Sequence, residues 1–100
     1  MVQINLDSES FYLSDEIIAE GKLSHLISTY RPIVTSAVAA GAARIVLVHN
    51  HPSGCVAPSR MDRIVTKRIA AVLKAVEVVL EDHIIVTRTE AYSMQRAGLI

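Results

Sequence analysis

The sequence has little of what marks several protein classes: one cysteine, no tryptophan, one phenylalanine and no excess of either charge. A single cysteine excludes an internal disulfide framework, so the reducing cytoplasm is the expected compartment. Ten basic residues balance ten acidic ones, which argues against a nucleic-acid partner. No apolar run approaches the ~18–20 residues of a membrane span, and no signal-peptide pattern opens the sequence. We therefore expect no membrane partner.

What the sequence does have is a large share of aliphatic residues. Hydrophobic residues make up 51% of the 100 positions, mostly valine, isoleucine, leucine and alanine. A composition of this kind excludes disorder. The length fits one domain, predicted over residues 1–100, which can bury roughly 60–65% of its unfolded surface around a single core.

Strands are predicted where apolar residues alternate or run continuously. The segment at 78–87 forms either two pieces or one strand that is kinked at its centre. The predicted strands cover residues 2–6, 13–19, 22–27, 44–48 and 78–87.

Two helices are predicted from apolar residues at three- and four-residue spacing. Ser28 or Thr29 is expected to cap the first helix, with Pro32 in its first turn and Gly41 at its end. The second helix begins near Ser59 and carries basic residues on its outer face. Strands that alternate with helices predict a single-domain α/β fold, in which helices flank one mixed β-sheet.

The most informative stretch follows the strand at residues 44–48. His49 and His51 end that strand at positions i and i+2, so their side chains point to the same side. Ser59 and Asp62 lie three residues apart at the start of the next helix and share a face. Two imidazoles, a carboxylate and a hydroxyl can therefore converge on one point.

Two interpretations of this stretch compete. Two neutral imidazoles and one carboxylate are the ligand set of a catalytic zinc site whose fourth position is open to water. The same set also describes the facial triad of an iron(II) oxygenase. Alternatively, Ser59-x-x-Asp62 is a capping box, which explains both residues without a metal. We favour the metal, because His49 and His51 would otherwise desolvate two polar rings for no gain.

The wider pattern resembles a known family. The spacing His49-x-His51-x7-Ser59-x-x-Asp62 fits the JAMM motif of the JAB/MPN metalloproteases. The bacterial RadC branch is similar in the strings His-Asn-His-Pro-Ser-Gly at 49–54 and Asp-His-Ile-Ile-Val at 82–86, and in the ending Gly-Leu-Ile. This resemblance covers nearly the whole sequence.

The resemblance implies a cytidine-deaminase-like fold and a zinc ion held by His49, His51 and Asp62. It also implies that a glutamate from an early strand hydrogen-bonds the water on that zinc. Glu16 takes this role by position, and Glu20 is the second choice because strand register is uncertain from sequence. Ser59 would help to stabilise the oxyanion during hydrolysis of a peptide or isopeptide bond in a protein or peptide substrate. The deaminases themselves are disfavoured, since their His-x-Glu and Pro-Cys-x-x-Cys elements are absent.

The sequence departs from the family pattern in ways that keep alternatives open. Cys55 stands where the family usually has an acid; its thiolate as a fourth zinc ligand is one hypothesis, and a small loop side chain is the favoured one. His83 is predicted to be structural, with a hydrogen bond to the motif loop. The N-terminal helix–hairpin–helix region of full-length RadC proteins is not in this sequence. A non-catalytic protein-interaction module is therefore the main alternative, a DNA-repair role has little support from charge, and an exposed strand edge allows a homodimer.

Overall fold

The computed structural model describes residues 1–18 and 26–100, with side chains from residue 30 onwards in the second range. Five strands form one sheet in the order β2-β1-β3-β4-β5. β3 and β4 are parallel and the other pairs are antiparallel, which confirms the predicted α/β fold with a mixed sheet. The elements are β1 (Val2–Leu6), β2 (Tyr12–Ile17), α1 (Leu26–Ala40), β3 (Arg44–Asn50), α2 (Arg60–Ala75), β4 (Val79–Val86) and β5 (Ala91–Ser93).

Both helices pack against the same face of the sheet. Ile33 from α1 and Ile69 from α2 meet Ile45 and Leu47 of β3 in one buried cluster. Each fully buried aliphatic side chain contributes about 1.5–3 kcal/mol relative to an exposed one. The helix-covered face therefore supplies the core that holds the end of β3 in place.

The face of β1 towards α1 is polar, and most of its polar groups have hydrogen-bond partners. The Gln3 amide donates to Asn5 Oδ1 at 2.9 Å and to the Ile33 carbonyl at 3.1 Å. The Asn5 amide donates to Ser14 Oγ at 3.1 Å and Ser36 Oγ at 3.0 Å. These bonds show that the odd-numbered residues of β1, and their partners on β2, face the helices.

The predicted strands are found with small shifts. β1 is confirmed, and β3 continues beyond the predicted Val48 as far as Asn50. β4 is one strand whose register slips, since Ile45 pairs with Leu80 but Val46 pairs with Asp82. The expected kink is thus a β-bulge at Glu81.

β5 was not predicted, because three residues are too few to show a period. On the other side of the sheet, β2 spans Tyr12–Ile17, so it begins one residue before the predicted 13–19 and does not include Ile18. Ala19 lies outside the described residues.

The start of α1 corrects the prediction. Leu26 opens the helix, so the strand predicted at 22–27 is wrong for its last two residues; residues 22–25 lie outside the described ones. Ser28 and Thr29 are helical rather than capping, and Pro32 lies inside the helix rather than in its first turn. A short apolar run has no period that separates strand from helix. The predicted stop is confirmed, as Gly41 follows the last helical residue with φ +66°.

Across residues 1–18 and 26–100, no helix is long and apolar enough to span a membrane.

Candidate metal centre

Three side chains predicted to bind a metal come together at one end of β3. His49 lies in the strand, His51 directly follows it, and Asp62 lies in the first turn of α2. One potential ligand atom from each residue lies within 4.8 Å of the others. The two imidazole rings meet edge to face, with centroids 4.7 Å apart and planes at 87°. The strand end and the helix start thus form a compact cluster of two nitrogens and one carboxylate.

The ring of His51 is fixed by the loop that follows it. Its Nδ1 lies 2.9 Å from the Cys55 carbonyl oxygen. A carbonyl only accepts, so Nδ1 carries a proton and donates, and in the neutral ring Nε2 is the nitrogen with the lone pair. That Nε2 lies 3.1 Å from Asp62 Oδ2. His51 is therefore held in the tautomer that suits a ligand nitrogen.

Asp62 is held by the helix start. Its Oδ2 accepts from the Ser59 backbone N–H at 2.7 Å, and its own N–H donates to Ser59 Oγ at 2.9 Å. This reciprocal pair confirms the predicted capping box. The cap and the cluster share this carboxylate, because Oδ2 also lies 3.1 Å from His51 Nε2 and Oδ1 faces His49 Nδ1 at 3.8 Å. The cap orients the carboxylate that the cluster uses.

The surroundings of His49 favour its uncharged form. Burial lowers the pKa of its imidazole, and the neighbouring Asp62 carboxylate opposes that shift without cancelling it. Its Nδ1 is buried and has no hydrogen-bond partner, since 3.8 Å to a carboxylate oxygen is too long for a hydrogen bond. A neutral imidazole is the form that binds metals.

The donor set fits a divalent metal such as zinc. Two neutral imidazoles and one carboxylate leave coordination positions open, as catalytic zinc sites do. Each of the three side chains offers one potential ligand atom to the cluster, which is consistent with a site built for a further group. Three such ligands equally suit iron(II), so the geometry alone does not select the metal.

His83 lies next to the cluster. It is fully buried and its ring centroid is 5.7 Å from that of His49. Its side chain is hydrogen-bonded to Thr66 Oγ1 of α2, at 2.7 Å, and no bond to the loop at 51–59 occurs among the described contacts. Burial is the main cause that lowers the pKa of His83 to about 4, and the nearby His49 adds to it.

The bulge in β4 sets the face of the sheet on which His83 lies. Leu80 and His83 are three apart, so strict alternation places them on opposite faces of the sheet. The extra residue at Glu81 shifts that parity by one, and His83 pairs with Leu47 on the helix-covered face. The sequence predicts a possible kink at the centre of this strand, but the inserted residue and the resulting face of His83 follow only from the pairing with β3.

Glu16 lies on the edge strand β2 and is exposed. It pairs with Gln3, which in turn pairs with Leu47, two residues before His49. Directly opposed residues share a face, so Glu16 projects on the same side of the sheet as Leu47 and His49, with two strand spacings, about 10 Å, between Glu16 and Leu47. Within the described ranges, no hydrogen bond or ion pair joins it to the three clustered residues. Glu20, the second choice, lies outside the described residues.

Cys55 contributes its backbone carbonyl to the site, and Ser59 takes the capping role that the sequence predicts. Cys55 is exposed, and its thiol is not in the group of potential ligands found in the described part of the chain; the hypothesis of a fourth ligand is not supported. Its backbone carbonyl instead orients His51. Ser59 Oγ accepts the Asp62 N–H, and its own hydroxyl proton has no bond among the described contacts and can be donated.

Comparison with known proteins agrees with this architecture. Residues 1–99 match the family of the RadC-like JAB domain. A UPF0758 protein of Polaromonas sp. is 40% identical over 95 residues, which cover 95% of this chain and 42% of that protein. A UPF0758 protein of Finegoldia magna is 41% identical over 91 residues, which cover 91% of this chain and 41% of that protein.

A third relative has the same relation to the chain. The UPF0758 protein of Paracidovorax citrulli is 42% identical over 95 residues, which cover 95% of this chain and 40% of that protein. The chain therefore spans about two fifths of the length of these curated relatives. The mixed five-stranded sheet with two helices is consistent with the JAB/MPN fold. On the match over residues 1–99, the chain belongs to the RadC-like JAB domain family.

Proposed function

We propose that this domain is a zinc-dependent hydrolase of peptide or isopeptide bonds. The observation that carries the proposal is the convergence of His49, His51 and Asp62 within 4.8 Å, with His51 already in the tautomer that offers Nε2. A bound zinc ion supplies a Lewis acid and lowers the pKa of a water ligand to about 7. Family membership supports the same chemistry.

The protein's own residues divide the remaining work. His49 and His51 hold the metal as neutral donors, and the Asp62 carboxylate is aimed at it by the cap of α2. Glu16 takes a proton from the attacking water at its carboxylate and later gives it to the leaving amine. The Ser59 hydroxyl donates to the substrate oxygen as negative charge develops there. Loss of one such donor costs typically ~3–4 kcal/mol of transition-state stabilisation.

The first test is metal content, measured by elemental analysis on protein purified without chelator or added metal. We expect about one zinc per chain in the wild type and none in His49→Ala. Iron in place of zinc would favour the oxygenase. No metal in the wild type, even after zinc is offered, would contradict the proposal and favour a non-catalytic protein-interaction module.

The second test separates the two carboxylates of β2. Glu16→Gln should keep its zinc and lose turnover of peptide and isopeptide substrates in a screen. Asp15→Asn is the matched control, because Asp15 pairs with Ile4 and so projects from the opposite face of the sheet. The reverse pattern, with Asp15→Asn inactive and Glu16→Gln active, would refute the role of Glu16. Glu20→Gln is assayed alongside as the second choice.

The third test isolates the hydroxyl of Ser59 from its cap. Glycine at an N-cap costs only a few tenths of a kcal/mol, whereas alanine costs about 1 kcal/mol. Ser59→Gly should therefore keep the start of α2 and its zinc, while turnover falls by roughly 100-fold or more. Ser59→Thr retains the hydroxyl and should retain turnover. Equal activity of Ser59→Gly and the wild type would remove Ser59 from the mechanism.

A further inference from the structure

Two neighbouring histidines each have a ring nitrogen without a partner. Four buried side-chain polar atoms in residues 1–18 and 30–100 make no hydrogen bond, and two of them are His49 Nδ1 and His83 Nε2. The two rings lie 5.7 Å apart between centroids and are tilted by 34°. Buried polar groups are almost always paired in folded proteins. A bond between these two nitrogens would pair both at once.

The tautomer of His83 follows from Thr66. Thr66 Oγ1 lies 2.6 Å from the Asp62 carbonyl oxygen, which can only accept, so the hydroxyl proton points there. The same Oγ1 lies 2.7 Å from His83 Nδ1. With its proton engaged, Thr66 must accept, and His83 must donate from Nδ1. His83 Nε2 is then a lone-pair acceptor, fully buried beside His49.

We propose that His83 is a positioning residue that accepts a hydrogen bond from His49 Nδ1–H through its Nε2. This bond places the proton of His49 on Nδ1 and leaves Nε2 as the free donor atom. His51 is arranged alike, since its Nδ1–H donates to the Cys55 carbonyl. That His49 Nε2 then binds zinc rests on the proposed function. A metal-bound histidine almost always donates its other N–H to such an acceptor.

The observed hydrogen bonds run from His83 to Thr66 and from Thr66 to the backbone carbonyl of Asp62. The proposed bond from His49 to His83 would extend this chain to His49, whose ring lies beside that of His83. The side chain of His49 would then be connected to the backbone of Asp62 behind the site. His83 does not belong to the group of potential ligands found in the described part of the chain, so it acts through His49 rather than on the metal.

The first experiment needs no variant and no metal. Nitrogen-15 NMR with long-range couplings to the ring protons assigns the tautomer of each histidine in the metal-free wild type. We expect the proton on Nδ1 in both His49 and His83, with His83 Nε2 shifted as a hydrogen-bond acceptor. A proton on Nε2 of either ring would overturn the inference.

The second experiment measures zinc affinity by competition with a chromophoric chelator. His83→Leu should bind zinc about 10–100-fold more weakly than the wild type, while X-ray absorption still counts two imidazole ligands. Thr66→Val should have a similar but smaller effect, and Thr66→Ser, which keeps the hydroxyl, should match the wild type. Unchanged affinity in folded His83→Leu and Thr66→Val, or one imidazole fewer in His83→Leu, would overturn the inference. If the wild type binds no zinc, the proposed function is refuted. The inference about His83 is then still tested by the NMR assignment of the two tautomers, which needs no metal.

Discussion

Both ends of β3 carry polar groups beside the apolar core, but the two sets of polar groups differ in how deeply they are buried. At the N-terminal end, Arg44 Nη1 pairs with Glu81 at 3.7 Å, and their side chains are 37% and 33% exposed. Ser8 and Ser10 add bonds to these two residues. At the C-terminal end, the Asp62 side chain is only 6% exposed and His83 is fully buried.

The difference teaches what burial demands of a polar group. In the outer cluster (Ser8, Ser10, Arg44 and Glu81), water solvates whatever the pairs leave unmet, so the pairs contribute about 0–1 kcal/mol. In the inner cluster (His49, His51, Asp62, Thr66 and His83), water does not reach the buried polar atoms, so it cannot solvate those that lack a protein partner. A buried polar atom without a partner costs about 1–3 kcal/mol. Polar groups that lower stability in this way are expected where function uses them.

The largest expected difference between the two clusters is in how the unfolding free energy depends on pH. The unfolded chain protonates His83 near pH 6.5, whereas in the folded protein the pKa is about 4. The unfolded state therefore binds more protons between these values, and the unfolding free energy of the metal-free protein falls as pH drops from 6.5 to 4. The expected loss is about 3 kcal/mol, and the lowered pKa of His49 acts in the same direction.

Urea unfolding at a series of pH values measures this loss. His83→Gln should have a shallower slope between pH 6.5 and 4, whatever its stability at pH 7. An equally steep slope in His83→Gln would show that other groups cause the dependence.

The next effect is that of the metal on stability. On the proposed function, zinc at about 100 times its Kd should raise the unfolding free energy by about 2.7 kcal/mol, because it binds only the folded state. His49→Ala should gain nothing, and Glu81→Gln in the outer cluster should gain as much as the wild type. Thermal unfolding with and without zinc measures the difference; a gain in His49→Ala would point to another site.

A smaller effect separates the two roles of Asp62. Asp62→Ala removes an acceptor of the Ser59 N–H and should cost about 1–2 kcal/mol of unfolding free energy. Asp62→Asn keeps an oxygen for the cap and should cost less, yet both variants should lose zinc. Urea unfolding and elemental analysis on the same samples report the two roles. Zinc retained by Asp62→Asn at the wild-type level would remove the carboxylate from the ligand set.

The smallest effect belongs to the outer cluster. Glu81→Gln should change the unfolding free energy by less than about 1 kcal/mol, and less still at 1 M salt, because exposed ion pairs are weak and screened. Measurement in low and high salt tests this directly. If the unfolding free energy fell by several kcal/mol, the side chain of Glu81 would be needed to maintain the β-bulge, and its role would not be limited to the ion pair.

Sequence reasoning found the parts of this protein whose causes are local. The three clustered residues of the motif, the cap at Ser59 and the alternation of strands and helices all follow from residue types at short spacing. It failed where the cause is distant. Leu26 and Ile27 look like strand in isolation but begin α1, and β5 is too short to carry a pattern.

What the sequence determined by itself is the group of potential metal ligands and the helix cap, because each depends on residue types at short spacing within the 49–62 stretch. Tertiary structure alone decided which distant residues meet. The pairing of β3 with β4, and the bulge at Glu81, turn His83 towards the helices and bring it beside His49. Register between strands is fixed by packing of the whole core, and a shift of one residue reverses the face of every side chain that follows.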